Sequence, residues 1–290
     1  AYFIVSLPAG ALIRKIGYQA GIVTGLVIAS LGCLLFYPAA ALQEYGIFLG
    51  ALFVLASGIT VLQVAANPYV TLSGARETAP ARLTLVQAFN SLGTTLAPYL
   101  GALFLLDSVA VVLSARELAQ TVQMPYLVLM GILLLMAAVF IYLRLPDFDN
   151  IVEPKTDMDG SVSQFRHLVL GAIGIFVYVG AEVSIGSFIV NFLSEPDIGN
   201  MSAASAAKYL TIYWGGAMIG RFVGAAVLKQ FNSGHVLAVN AGIASLLLLG
   251  VILGQGQVAM WAVLFIGLCN SIMFPTIYSL ALVGLGRFTA

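Results

Sequence analysis

Long runs of apolar residues, separated by short polar segments, recur along the whole 290-residue sequence. A helix that crosses a bilayer needs about 20 mostly apolar residues, and most of the runs are close to that length. Only 8% of the residues are charged, against about 25% in ordinary soluble domains, so most of the chain must face lipid. We count nine runs, at 1–13, 18–42, 46–72, 83–106, 125–143, 167–192, 206–228, 236–254 and 258–285. The sequence therefore predicts an all-α, polytopic bundle of transmembrane helices.

The first run is shorter than a full span and starts inside apolar sequence, without an initiator Met or a charged flank. We therefore expect the chain to begin partway through a helix. A secretory signal peptide is not expected, because the run lacks a basic flank and a small-residue cleavage site.

Lysine and arginine residues are concentrated in alternate connections between the predicted spans. The connections after the first, third, fifth, seventh and ninth runs hold or border Arg14, Lys15, Arg76, Arg82, Arg144, Lys155, Arg166, Lys229 and Arg287. The opposite set holds only Arg116 and Lys208. Because cytoplasmic loops carry the positive excess in membrane proteins, the first set of connections is predicted to be cytoplasmic.

A polar segment at 146–166 divides the sequence into two parts. It contains five acidic residues among Pro, Gly and Ser, a composition typical of a flexible linker. We predict an N-terminal helical half at 1–145, a cytoplasmic linker at 146–166 and a C-terminal helical half at 167–290.

The two halves carry similar segments at corresponding places. Residues 10–15 after the first run resemble residues 224–229 after the seventh, and Pro68 in the third run corresponds to Pro275 in the ninth. Two parallel six-helix repeats joined by a cytoplasmic loop are the architecture of major facilitator transporters. On this interpretation a complete protein has twelve spans, and the two halves of this chain cover spans 2–6 and 7–10 of them.

Glu182 is the single carboxylate in the middle of a predicted span. An ionised side chain at the bilayer centre costs at least about 2.5 to 3.5 kcal/mol, so this residue indicates a role in handling a substrate or an ion. The alternative is a neutral, hydrogen-bonded glutamic acid that packs two helices together. Arg221 also lies inside a run, where it either stabilises a gate or anchors the helix end.

Amide side chains are grouped on the third and fourth runs. Gln63 and Asn67 lie one helical turn apart, and Gln87 and Asn90 lie three residues apart, so each pair shares one helix face. Amides both donate and accept hydrogen bonds, which suits an uncharged ligand that carries many hydroxyl groups.

Two further residues extend this pattern into the second half. Trp214 precedes two glycines, and its ring could lie against the apolar face of a sugar. Asn270 provides another amide in the ninth run. For any one of these polar or aromatic side chains, a helix-packing or interfacial role is the alternative.

The sequence lacks signals for catalysis, a metal site or nucleic-acid binding. Its histidines, His167 and His235, lie at span ends, and it contains no metal-ligand spacing, nucleophile elbow or phosphate loop. A formal net charge of zero argues against a nucleic-acid partner. We therefore expect no enzymatic activity, no cofactor and no bound metal centre.

Seven segments resemble the fucose:proton symporter family of the major facilitator superfamily, and most closely its bacterial glucose/galactose transporter branch. They are FYPAA at 36–40, LQVAANPYVT at 62–71, VQAFNSLGTT at 86–95, VQMPY at 122–126, YVGAEVSIGS at 178–187, YWGGAMIGRF at 213–222 and SIMFPTIYSL at 271–280. The resemblance implies a major facilitator fold and a multi-pass protein of the bacterial inner membrane. It also implies ion-coupled import of hexoses by alternating access, with sugar bound between the halves.

From the residues and the resemblance together we expect glucose or galactose, a proton or sodium ion and the lipid bilayer as partners of a monomeric transporter. Sugar hydroxyls are assigned to Gln63, Asn67, Gln87, Asn90 and Asn270, stacking to Trp214, and ion coupling or a direct sugar contact to Glu182. A membrane sugar sensor that does not transport, and a multispan enzyme acting on a lipid or glycan, are the alternatives.

Two positions depart from the fucose-type pattern. The resemblance implies a carboxylate where this chain has Gln63 and a glutamine where it has Glu182. The charge has therefore moved from the N-terminal to the C-terminal half. The sequence does not decide between a proton and sodium as the coupling ion. Fucose-type members also carry an acidic residue on their first span, which this chain lacks.

Overall fold

The regular secondary structure is helical throughout the part of the chain that the structure, a computed structural model, describes: residues 2–105, 120–143, 145–146, 164–283 and 285. The helices are α1 (Tyr2–Leu42), α2 (Tyr45–Leu72), α3 (Ala79–Leu105), α4 (Gln123–Tyr142), α5 (Arg166–Ser194), α6 (Ala203–Val227), α7 (Ser233–Leu253), α8 (Gly256–Asn270) and α9 (Met273–Ala281), with a 3-10 helix at Arg76–Thr78. The all-α prediction is confirmed.

Helix α1 contains the first two predicted runs, joined at a kink. Gly17 has φ 80° and ψ 167°, which is not a helical conformation, and glycine adopts positive φ without the steric cost of a Cβ atom. A straight helix of 41 residues would be about 60 Å long, roughly twice the thickness of the hydrocarbon core. The kink therefore divides α1 where the sequence predicted a boundary between two spans.

The last predicted run, 258–285, contains a short break, although α8 and α9 together still form one membrane-length segment. Helix α8 ends at Asn270 and α9 begins at Met273. The physical reason is Pro275, which has no amide hydrogen and whose ring clashes with the carbonyl four residues earlier, that of Ser271. Pro68 lies inside α2 without interrupting it, so corresponding prolines in the two halves have different local effects.

Seven helices of the described residues are long and apolar enough to cross a membrane. Six of them are α1, α2, α4, α5, α6 and α7, and the seventh, Gly256–Ala281, spans α8 and α9 together. Helix α3 is not among them, because amides and hydroxyls interrupt its apolar sequence. The predicted span at 83–106 therefore stays a prediction.

The described helices form two compact units. The first contains α1, α2 as far as Val70, the end of α3 from Pro98, and α4. The second contains Thr71–Ala97 together with α5 to α9. The core of the first unit is formed by Ile13, Ile22, Leu26, Ala65 and Ala137. The core of the second is formed by Ile189, Leu193, Ala206, Tyr213, Met260, Val263, Leu264 and Ile266.

The predicted domain boundaries stay a prediction. Most of the predicted linker, residues 147–163, lies outside the described residues. Four of the basic residues used for the orientation also lie outside them, namely Arg116, Arg144, Lys155 and Arg287.

Candidate functional site

Glu182 forms an ion pair with Arg221 inside the second unit. Glu182 lies in the middle of α5 and Arg221 near the C-terminal end of α6, and their side chains are only 12% and 16% exposed. Nη2 of Arg221 lies 3.9 Å from Oε1 of Glu182. This distance allows electrostatic attraction but is too long for a hydrogen bond. The sequence singled out both residues, and the structure brings them together.

Asn270 connects Glu182 to two tyrosines through hydrogen bonds. Its side chain is buried, and Nδ2 donates to the Tyr213 hydroxyl at 3.1 Å. The Tyr213 hydroxyl donates in turn to the backbone carbonyl of Glu182 at 3.4 Å. The Tyr178 hydroxyl donates to the backbone carbonyl of Asn270 at 2.8 Å. The amide predicted at Asn270 is therefore fixed in orientation beside Glu182.

The break between α8 and α9 exposes carbonyl groups to which side chains of the site bind. Asn270 is the last residue of α8, and its carbonyl accepts the hydrogen bond from Tyr178. The next carbonyl, that of Ser271, accepts from Nε of Arg221 at 3.2 Å. A backbone acceptor inside a membrane must be satisfied within the protein. The broken helix therefore orients both Tyr178 and Arg221.

Arg221 also contacts α3 through a residue that the sequence analysis did not identify. Its Nη1 donates to Oγ of Ser91, and Oγ of Ser91 donates to the backbone carbonyl of Gln87 at 3.0 Å. Ser91 is buried, whereas Asn90 beside it is exposed. The one sequence signal for Ser91 is its position a single helical turn after Gln87, a predicted site residue.

Trp214 packs against α5 one turn beyond Glu182. A Cβ atom added to Gly186 would lie 2.7 Å from Cζ2 of the indole, so glycine is required there for the ring to approach the helix. The indole also makes an edge-to-face contact with Tyr213, with 5.1 Å between ring centroids. Trp214 remains 39% exposed, which leaves part of its ring free to contact a ligand.

The predicted amides are divided between the two units. Gln63 and Asn67 lie in the first unit and are half-buried, and Gln63 Oε1 accepts a 3.2 Å hydrogen bond from the Tyr2 hydroxyl. Gln87 and Asn90 lie in the second unit. Within that unit Ser91 links the backbone carbonyl of Gln87, and not its side-chain amide, to Arg221.

Residues 1–288 match the family model of the Major Facilitator Superfamily. The chain is 56% identical to the glucose/galactose transporter of Brucella abortus (strain 9-941), over 100% of this chain and 70% of that protein. It is 48% identical to the putative glucose/galactose transporter of Helicobacter pylori (strain J99), over 100% of this chain and 72% of that protein. It is also 36% identical to the L-fucose-proton symporter of Escherichia coli (strain K12), over 99% of this chain and 70% of that protein.

The fold matches a solved crystal structure, that of the Major Facilitator Superfamily transporter FucP in the outward conformation. The TM-score is 0.87 with 34% sequence identity, over 99% of this chain and 74% of that chain. The predicted major facilitator fold is therefore confirmed. This chain belongs to the Major Facilitator Superfamily, and within it to the fucose:proton symporter family, in the branch that contains the bacterial glucose/galactose transporters.

Proposed function

We propose that this protein is a secondary active transporter that imports glucose and galactose across the bacterial inner membrane by proton-coupled symport. The observation that carries the proposal is the 56% identity, over the whole chain, to a protein named glucose/galactose transporter. Membership of the superfamily, together with seven membrane-length helices in the described residues, makes it a multi-pass membrane protein. Transport then follows an alternating-access cycle.

Each unit by itself carries polar groups that suit an uncharged, hydroxyl-rich substrate. Gln63, Gln87, Asn90 and Asn270 offer both donors and acceptors, and Asn67 adds a further amide one turn from Gln63. Asn270 uses one of its two Nδ2 hydrogens on Tyr213, so its other polar atoms serve sugar hydroxyls. Trp214 provides an apolar ring face for stacking.

The surroundings of Glu182 favour a proton over sodium as its ligand. Its Oε1 is enclosed, and within the described residues it has no hydrogen-bond partner. The Tyr178 hydroxyl donates to the carbonyl of Asn270. An ionised, enclosed oxygen without a donor is costly, whereas a proton on the carboxyl group removes the charge.

Sodium is a poorer fit for this carboxylate, because Na⁺ needs several oxygen ligands and Arg221 already places a positive charge 3.9 Å from Oε1. The coupling role of Glu182 is consistent with its position as the sole mid-span carboxylate of the sequence. A direct sugar contact through the enclosed Oε1 would require a different conformation.

Counterflow of labelled glucose in proteoliposomes that hold the protein is the decisive experiment. A transporter exchanges external labelled sugar for internal unlabelled sugar, whereas a sensor binds sugar without moving it. Accumulation is then measured with a proton gradient alone and with a sodium gradient alone. Absence of counterflow would disprove the transport proposal, and accumulation with sodium alone would disprove proton coupling.

A further inference from the structure

Arg221 faces three different elements of the second unit with three different nitrogens, two of which are hydrogen-bonded. Nε donates to the carbonyl of Ser271 at the α8–α9 break, and Nη1 donates to Oγ of Ser91 on α3. Nη2 faces Glu182 on α5 at 3.9 Å. The guanidinium group is always charged and its nitrogens act only as hydrogen-bond donors, so acceptors on different helices compete for it.

The hydrogen bonds of Arg221 go to neutral acceptors. The carboxylate of Glu182 is about 1 Å too far away for a charge-assisted hydrogen bond, which is typically about 2.8 Å long. An ionised carboxylate attracts a guanidinium group more strongly than a serine hydroxyl does. In the observed arrangement the Nη end of Arg221 is hydrogen-bonded to Ser91 and has not closed on Glu182.

The Nε end of the guanidinium group is held in place by tight packing between α6 and the broken helix. A Cβ atom added to Gly220 would lie 2.6 Å from Oγ of Ser271 and 2.9 Å from the carbonyl oxygen of Leu268. The backbone of α6 therefore cannot come closer to this segment. The Nη1 and Nη2 end, in contrast, lies between two competing acceptors on different helices, Ser91 and Glu182.

Ser91 can take part only as an acceptor. Its hydroxyl hydrogen is donated to the carbonyl of Gln87, so its lone pairs face Arg221. Loss of the Arg221 contact would leave a buried oxygen on α3 with one partner fewer and would remove a hydrogen bond that fastens α3 to α6. A second contact links the same helices, because the rings of Phe89 and Phe222 lie 5.7 Å apart, edge to face.

We propose that Arg221 is a positioning residue that couples the charge state of Glu182 to the contact between α3 and α6. When Glu182 is neutral, Arg221 holds Ser91 and fastens α3 to α6. When Glu182 ionises, the Nη end of Arg221 turns to the carboxylate and releases Ser91. The inference rests on the proposed coupling role of Glu182 and gives that role a structural consequence.

Few of the described groups that face Glu182 can change charge with pH, so a pH response of this region is assigned to Glu182. Among the described residues, the titratable or charged neighbours are Tyr178 on its own helix and Tyr213 and Arg221 on α6. The α8–α9 break contributes the polar groups of Asn270 and Ser271, and α3 contributes the hydroxyl of Ser91. These last three side chains do not titrate in the accessible pH range.

Spin labels introduced at Phe89→Cys and Phe222→Cys measure the separation of α3 and α6 directly. The labels are placed in a background in which Cys33 and Cys269 are replaced, and the whole protein is studied in lipid nanodiscs from acid to alkaline pH. We expect strong dipolar broadening at low pH and its loss at high pH. Glu182→Gln should keep the broadening at every pH, because the side chain can no longer ionise.

Ser91→Ala should abolish the pH dependence of the broadening, because α3 then has no acceptor for Arg221. Ser245→Ala is the matched control, since Ser245 makes the same bond to the carbonyl four residues earlier, at 2.9 Å, on α7. A spacing that does not change with pH in the otherwise unmodified protein, or an unchanged response in Ser91→Ala, would overturn the inference. Counterflow distinguishes these results from failure of the transport proposal, because a protein that does not transport glucose shows no counterflow at any pH.

Discussion

Nε of Arg221 donates a 3.2 Å hydrogen bond to the backbone carbonyl of Ser271. In a continuous helix that carbonyl would accept from the amide of residue 275, but Pro275 has no amide hydrogen. Arg221 therefore binds the acceptor that the proline leaves open. This relationship joins the charged pair of the site to the break between α8 and α9.

Replacing Pro275 with alanine should make the helix more continuous and weaken the link to Arg221. The restored amide competes with Nε of Arg221 for the carbonyl of Ser271, so we expect slower amide hydrogen exchange across 271–276 and several-fold slower glucose uptake. Exchange measured by mass spectrometry and initial uptake rates test this. Pro68→Ala is the control, because α2 is already continuous through Pro68; equal effects of the two changes would argue against the assignment.

Glu182→Gln should uncouple transport without abolishing it. Glutamine keeps the shape of the side chain and removes its titration, so the variant should exchange labelled glucose in counterflow but fail to concentrate it with an imposed proton gradient. The comparison uses proteoliposomes with matched amounts of the unmodified protein and the variant. If Glu182→Gln concentrates glucose as well as the unmodified protein does, the coupling proton binds to another group.

Gln63→Ala and Asn90→Ala should each weaken glucose binding. A sugar hydroxyl left without a partner in a desolvated site costs about 1 to 3 kcal/mol, which corresponds to a rise of roughly 5- to 150-fold in Kd. Isothermal titration of the purified variants measures the change. Asn240→Ala is a suitable control, because Nδ2 of Asn240 donates to the carbonyl of Val236 within α7. Unchanged glucose affinity in a correctly inserted variant would assign that amide to helix packing.

Gly186→Ala should impair sugar binding by displacing the indole of Trp214. The new Cβ atom would lie 2.7 Å from Cζ2 of that ring, so the ring must move away from α5. We expect glucose affinity to fall about as far as it does in Trp214→Ala. Gly180→Ala, on the same helix, has open space around the added Cβ and should leave affinity unchanged. A Gly186→Ala variant that binds like Gly180→Ala would exclude a stacking role for Trp214.

Local composition was enough to predict most of the helices and the most unusual charged residue. The apolar runs predicted the extents of α2, α5 and α6 closely, because each spanning helix must be apolar over most of its length. Glu182 stood out because a carboxylate in such a run is costly. The break inside the predicted run at 258–285 was not foreseen, because hydropathy is insensitive to the missing amide hydrogen of Pro275. The correspondence of residues 10–15 with 224–229, and of Pro68 with Pro275, stays a prediction.

The partners of Glu182 were decided only by tertiary structure. Arg221 lies 39 positions away from Glu182, and Ser91 lies 130 positions away from Arg221, so no spacing rule of a single helix connects them. In a soluble protein the apolar stripe of a helix marks the face that packs inwards. In a membrane the lipid-facing side is equally apolar. The sequence therefore determined that a buried charge exists, whereas helix packing determined which arginine balances it and which serine holds that arginine.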